Sequence, residues 1–162
     1  MNHMELELVK KAILNEIEGY EFYKLTASQA SSQETRDALL SIADEELKHI
    51  EWLKALVNTQ NDPQGAFDLA MVADPPPPKL YTWDHLMCKN IGLAVSVFGI
   101  AMEMENVAIK FYEEARDQSE DAKLKKLFDT LIGWERNHYD LFAREYAIVQ
   151  QGWWSDQGFA PF

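Results

Sequence analysis

The sequence predicts an all-α chain: a four-helix bundle made of two helical hairpins joined by a long crossover. Three observations predict it. Four long segments carry apolar residues at helical spacing, and no segment alternates as a half-buried strand would. The link inside each half is a few residues long, whereas the link between the halves is long and contains four consecutive prolines. Finally, the two halves repeat the same unusual polar residues at one fixed offset.

The first helix is expected from about Glu5 to Ala30, with Val9, Ile13, Glu16, Tyr20, Tyr23 and Ala27 on one stripe. The second is expected from about Gln33 to Thr59, its buried stripe marked by Leu39, Ile42, Leu53 and Leu56. The stretch "SQASS" between them is short enough to make antiparallel neighbours. The third helix is expected from about Asp84, which can cap the first turn, to Asp117. Ala94, Phe98, Ala101, Glu105, Ala108 and Tyr112 lie in phase along it. The stretch "DQSE" leads to the fourth helix, about Ser119 to Gln150, with Leu124, Phe128, Leu131, Glu135, His138 and Phe142 in phase. The four prolines cannot be helical, and a polyproline spacer can cross the length of a bundle and let the second and third helices run parallel. The domain boundaries that follow are a bundle over residues 1–150, a crossover at about 58–83, and an aromatic tail over 151–162. The tail carries Trp153, Trp154, Phe159 and Phe162, expected to pack back onto the bundle or onto a neighbouring subunit.

Composition narrows the function classes. A chain of 162 residues, 47% of them hydrophobic, is one globular domain with a real core. No apolar run is long enough to span a membrane, and the N-terminus shows no basic region followed by an apolar segment, so neither insertion nor export is expected. Cys88 is the only cysteine, which excludes an internal disulfide and any four-cysteine iron centre within this chain. A reducing, cytoplasmic location is the natural expectation. The net charge of −12 argues against nucleic acid and anionic membrane as partners.

The buried stripe of the second helix raises a chemical question, because its spacing continues through Glu46 and His49. A carboxylate and an imidazole facing a core are costly unless something neutralises and bonds them. The repeat supplies the answer. At an offset of 89 residues Glu16 matches Glu105, Phe22 and Tyr23 match Phe111 and Tyr112, Glu46 matches Glu135, and His49 matches His138. Each half therefore offers one glutamate on its first helix and Glu-x-x-His on its second. Residues three apart share a helix face, so each such pair can bind one ion. Glu45 also stands near His49, but its counterpart at the offset is Trp134, which cannot ligate, so Glu46 is the expected ligand.

Two hairpins packed about a pseudo-twofold axis would bring four carboxylates and two imidazoles together at mid-bundle. Four carboxylates balance two divalent cations, which is the ligand set of a carboxylate-bridged dimetal centre. Oxygen-rich ligation with one imidazole per metal suits iron or manganese, and affinity alone would also admit zinc. Two Glu-x-x-His glutamates with one metal each, and Glu16 and Glu105 bridging, is the expected division. Trp52 and Trp134 are expected as packing residues, His85 as an exposed side chain, and Cys88 as a residue without a chemical role.

The stretches "NEIEGYEFY" and "ADEELKHIEWL", then "MENVAIKFY" and "GWERNHYDLF", resemble the rubrerythrin-like branch of the ferritin-like superfamily over about residues 5–147. The resemblance implies a ferritin-like four-helix bundle with a non-haem diiron centre, in dimers or larger assemblies. Glu16, Glu46, His49, Glu105, Glu135 and His138 would be the iron ligands. Tyr23 and Tyr112 match family tyrosines that hydrogen-bond ligand carboxylates. Two departures matter. Typical members carry a rubredoxin domain with four cysteines, so here reduction would need an external donor such as a rubredoxin-type protein. They also have an extra glutamate near the ligand of the third helix, whereas Met102 stands one turn before Glu105 and Glu103 is out of phase. The implied function is an oxidoreductase reducing peroxide, or more slowly dioxygen, in oxidative-stress defence. Iron oxidation followed by storage is the alternative, and a metal-dependent oxygenase acting on an organic substrate is a third reading.

Overall fold

The computed structural model describes residues 1–31, 33–57 and 91–158, apart from the side chains of residues 34, 91 and 93. Among the described residues all regular structure is helical: α1 (His3–Gln29), α2 (Gln33–Val57), α3 (Ile91–Gln118) and α4 (Ala122–Asp156). The crossover, Asp84, His85, Cys88, Phe159 and Phe162 lie outside the described residues.

Local chemistry sets the helix ends. Asn2 caps α1: its side chain accepts from Glu5 N at 2.9 Å, while the Glu5 carboxylate accepts from Asn2 N at 2.7 Å. The second oxygen of that carboxylate accepts from Glu120 N at 2.8 Å and Asp121 N at 2.9 Å, in the turn between α3 and α4. A single buried glutamate thus ties the start of one hairpin to the turn of the other. Asp121 caps α4, accepting from Lys123 N and Leu124 N. At the far end α4 continues to Asp156, six residues beyond the expected Gln150, and takes Trp153 and Trp154 into the helix. Gly158 then adopts φ 71°, the left-handed conformation glycine accepts without steric cost.

The apolar stripes close into two clusters, one at each end of the bundle. One holds Leu8, Val9 and Ala12 of α1, Leu53 of α2, Tyr112 and Ala115 of α3, and Leu124, Leu127, Phe128, Leu131 and Ile132 of α4. The other holds Tyr23 and Ala27 of α1, Leu39, Ile42 and Ala43 of α2, Ala94, Phe98 and Ala101 of α3, and Leu141, Phe142 and Val149 of α4. Chain direction follows from these memberships. Helices α1 and α4 run from the first cluster to the second, and α2 and α3 run the opposite way. Each hairpin is therefore antiparallel, and α2 and α3 are parallel, as the long link requires.

The sequence repeat acts as a pseudo-twofold that exchanges the two ends. Tyr23 corresponds to Tyr112, Leu39 to Phe128, Ile42 to Leu131, and Leu53 to Phe142, each residue lying in the cluster opposite its counterpart. What the operation leaves in the middle is the polar layer.

Candidate metal centre

Between the two apolar clusters each helix presents its polar residues: Glu16 from α1, Glu46 and His49 from α2, Glu105 from α3, Glu135 and His138 from α4. None is more than 3% exposed. Helical pitch places them there. On every helix these positions continue the buried stripe, so folding of the stripe carries the polar groups inward.

The six residues the sequence singles out all meet. Glu16, Glu46, His49 and Glu135 bring one ligand atom each within 4.8 Å of one another, and so do Glu46, Glu105, Glu135 and His138. The two sets overlap in Glu46 and Glu135. This reverses the expected division: the Glu-x-x-His glutamates are the shared pair, and Glu16 and Glu105 each belong to one set. The physical reason is the bundle geometry. Glu46 and Glu135 come from α2 and α4, one from each hairpin, and each reaches both imidazoles: His49 Nδ1 is 3.3 Å from Glu46 and 3.4 Å from Glu135, and His138 Nδ1 is 3.2 Å from each.

Both imidazoles turn Nδ1 inward. His49 Nδ1 also lies 3.0 Å from Glu16, and His138 Nδ1 lies 3.8 Å from Glu105. One ring nitrogen facing three carboxylates has more acceptors than a single N–H can serve. Glu135 Oε1 is fully buried and finds no well-formed hydrogen bond among the described residues, its contact with His49 Nδ1 being long at 3.4 Å. Four carboxylates and two inward imidazole nitrogens, short of donors, are a donor set that fits a pair of divalent cations.

Proton distribution in the metal-free chain reports the same strain. Burial, then the charges of Glu135 and Glu46, push Glu16 well above the usual carboxylate range. Burial and Glu135 do the same to Glu105. Burial would also raise Glu46, but hydrogen bonds from Glu16, His138 and His49 outweigh it and hold Glu46 well below its ordinary value. Glu135 is lowered too: burial and the charge of Glu46 oppose this, and hydrogen bonds from His138 and His49 overcome them. Burial works against protonating the imidazoles, yet the surrounding carboxylates carry His49 and His138 well above the ordinary histidine value. Protons stand in for positive charge in this cluster.

Two tyrosines cross between the hairpins. Tyr23 of α1 donates its hydroxyl to Glu105 of α3, and Tyr112 of α3 donates to Glu16 of α1. Burial and the partner carboxylates raise both phenols far above their ordinary range, so both remain donors. Each phenol stacks on a phenylalanine of α4, Tyr23 on Phe142 at 5.4 Å and Tyr112 on Phe128 at 5.8 Å between ring centroids, which fixes the hydroxyl's direction. Trp52 and Trp134 pack against His49, with centroids 5.5 and 5.3 Å away.

Other features escape sequence reading. Glu45 accepts from His138 Nε2 at 2.9 Å. Its partner is on another helix, so spacing along α2 cannot reveal the contact. A cleft of about 280 Å³ between α1 and α3 reaches Glu16, Glu46, Glu105 and Glu135. Its walls include Gly19, Ile100, Met104, Val107 and Ala108, and Asn15, Glu18 and Glu103 also line it. Gly19 and Ala108 occupy equivalent places in the repeat, each three residues after a first-helix glutamate, so small side chains there hint at the opening. Among the described residues no helix is long and apolar enough to cross a membrane.

Comparison with known proteins agrees with this geometry. A solved structure, a hypothetical protein from Pyrococcus furiosus, is 25% identical to this chain, with a TM-score of 0.68 over 91% of this chain and 90% of that one. None of the curated proteins compared matches the chain. The family model described as rubrerythrin matches residues 7–146, a span that holds all four helices' contributions to the polar layer. With both hairpins, the buried glutamate–histidine cluster and nearly the whole bundle inside that match, the chain belongs to the rubrerythrin family.

Proposed function

We propose that this chain is a non-haem diiron oxidoreductase that reduces hydrogen peroxide, and dioxygen more slowly, in defence against oxidative stress. The observation that carries the reading is the pair of overlapping buried ligand sets. Glu16 and His49 would hold one ion, Glu105 and His138 the other, and Glu46 and Glu135 would contact both. When bound, two ferrous ions supply one electron each to an O–O bond, so that one peroxide and two protons give two waters.

The chain's own residues do the rest. Tyr112 and Tyr23 hold Glu16 and Glu105 in orientation through their hydroxyls. The apolar clusters above and below the layer keep bulk water from its ends. The α1–α3 cleft gives a small oxidant a path to the carboxylates between apolar walls at Ile100, Met104 and Val107. Electrons would come from an external donor such as a rubredoxin-type protein. Exposed Leu14 and Leu25 support assembly as a homodimer or larger. A reducing cytoplasm is in keeping with a single cysteine, Cys88. Manganese or zinc would fit the same donors, and zinc has no electrons to supply.

One observation favours the second reading, iron oxidation and storage. Glu18 and Glu103 in the cleft lining suit a ferrous ion as an entering substrate. Stopped-flow mixing of the anaerobically loaded ferrous protein separates the two. Faster oxidation by peroxide, ending at two irons per chain, supports the reductase. Oxidation by dioxygen that continues beyond two irons, in a multi-subunit shell, supports storage. Uptake of no iron rejects both.

A further inference from the structure

The repeat that equates Glu46 with Glu135 and His49 with His138 breaks one residue away. Beside Glu46 stands Glu45, and at the equivalent position beside Glu135 stands Trp134. This break gives the two imidazoles different surroundings. His138 Nε2 donates to Glu45 Oε2 at 2.9 Å, and the Glu45 side chain is only 17% exposed. His49 Nε2 is fully buried and finds no hydrogen-bond partner among the described residues. Trp134, where a second carboxylate would stand, offers only an N–H donor, itself unpartnered among the described residues. His49 is held instead by ring packing against Trp52 and Trp134.

We propose that Glu45 is a positioning residue that makes the two halves of the centre unequal, so that the half containing His138 takes up its ion first and holds it more tightly. The inference rests on the metal-centre reading above. With Nδ1 turned inward on both rings, a neutral imidazole carries its proton on Nε2. A carboxylate accepting that proton fixes the tautomer, locks the ring's orientation and makes the inward nitrogen a stronger donor. Only His138 has this support. The negative charge of Glu45, lodged between α2 and α4, adds attraction for a cation on the same side. Among the described residues His49 has no such bond at Nε2 to hold the ring against tilting within its aromatic packing, which makes its half the weaker one.

The test is anaerobic titration of the full chain with Co(II), followed by its visible absorption and by calorimetry. The wild type is expected to bind two ions in two resolved steps. Glu45→Ala should weaken the tighter step by about 10- to 100-fold and leave the other unchanged. Glu45→Gln keeps an oxygen acceptor for Nε2–H without the charge, and should fall between the two. In the Co(II)-loaded protein, only one of the two imidazole N–H resonances should move in either variant, a signature that general loss of stability would not produce. Glu45→Gln is nearly isosteric, and its thermal melting shows whether the fold is intact. Two steps unchanged in both variants, or both steps weakened equally, would overturn the inference while leaving the metal reading in place. A wild type that binds no Co(II) would overturn the metal reading itself, and this inference with it.

Discussion

Tyr112 on α3 donates its hydroxyl to Glu16 on α1, and the pseudo-twofold returns the same bond in reverse, from Tyr23 on α1 to Glu105 on α3. These bonds join the two hairpins across the polar layer, each at one side of the cluster. Removing one hydroxyl leaves a buried carboxylate oxygen without that donor, which costs about 1–3 kcal/mol. Tyr112→Phe and Tyr23→Phe should each lower stability by that amount in urea unfolding of the metal-free protein. Each should also weaken metal binding by about 10- to 100-fold, because the carboxylate loses its orientation. The two substitutions share one network, so the double variant should not lose the sum.

The metal-free and metal-loaded proteins should answer pH in opposite ways. The folded-state pKa values of Glu16 and Glu105 lie above their unfolded value of 4.5. Stability from such groups is fully present below the unfolded pKa and is lost as pH rises through the folded one. The metal-free melting temperature should therefore fall from pH 5 towards pH 8. Metal replaces the protons on these groups, so binding should release protons and grow stronger as pH rises. At a free concentration about a thousand times Kd, metal should add about 4 kcal/mol. Differential scanning calorimetry across pH, with and without metal, checks both signs, and calorimetry in buffers of different ionisation enthalpy counts the protons.

Glu5 should show the reverse sign. Its carboxylate accepts backbone N–H bonds from Asp121, Asn2 and Glu120, and that of Asp121 does most to hold its pKa below the usual value. A depressed pKa gives stability that is present above the unfolded value and is lost as pH falls through the folded one. Glu5→Gln removes one accepting oxygen and the charge, and should cost about 1–3 kcal/mol at pH 7. The gap between variant and wild type should shrink as the wild-type carboxyl protonates below pH 4.5. Urea unfolding at pH 7 and pH 3 makes the comparison.

Glu145 on α4 is a buried carboxylate outside the metal centre, and burial raises its pKa to about 7, with Arg144 opposing the rise. Its stabilising form is the neutral one, lost as pH rises through 7. Glu145→Gln mimics that form. It should match the wild type at pH 5 and exceed it at pH 8.5 by roughly 1–3 kcal/mol. A variant no more stable than wild type at pH 8.5 would remove the charge-burial explanation.

Gly19 tests the cleft. A Cβ there would sit 3.6 Å from Glu46 Cδ, ordinary contact, so alanine fits. Gly19→Ala should stabilise α1 by up to about 1 kcal/mol through helix propensity, with little effect on oxidation. A leucine would fill space between Glu46 and Ala108 and close the path to the carboxylates. Gly19→Leu should slow oxidation of the ferrous protein by peroxide while both ions still bind. Equal oxidation rates in Gly19→Leu and wild type would mean that the oxidant arrives elsewhere.

The sequence by itself determined the helices and the six polar residues of the cluster, because both are periodic signals. Helical pitch puts Glu16, Glu46, His49, Glu105, Glu135 and His138 on buried stripes, and the fixed offset shows that both halves do the same thing. The family resemblance also pointed to Tyr23 and Tyr112 as partners of the buried carboxylates. Contacts between helices are invisible to such patterns, since they depend on how the stripes are rotated and staggered against one another. Only the tertiary structure decided that Glu46 and Glu135, rather than Glu16 and Glu105, stand between the two imidazoles. Only packing of α2 against α4 brought Glu45 to His138, and only the spacing of α1 from α3 opened the cleft above Gly19 and Ala108. Spacing along one helix fixes which residues face inward, and the meeting of four helices fixes what each of them touches.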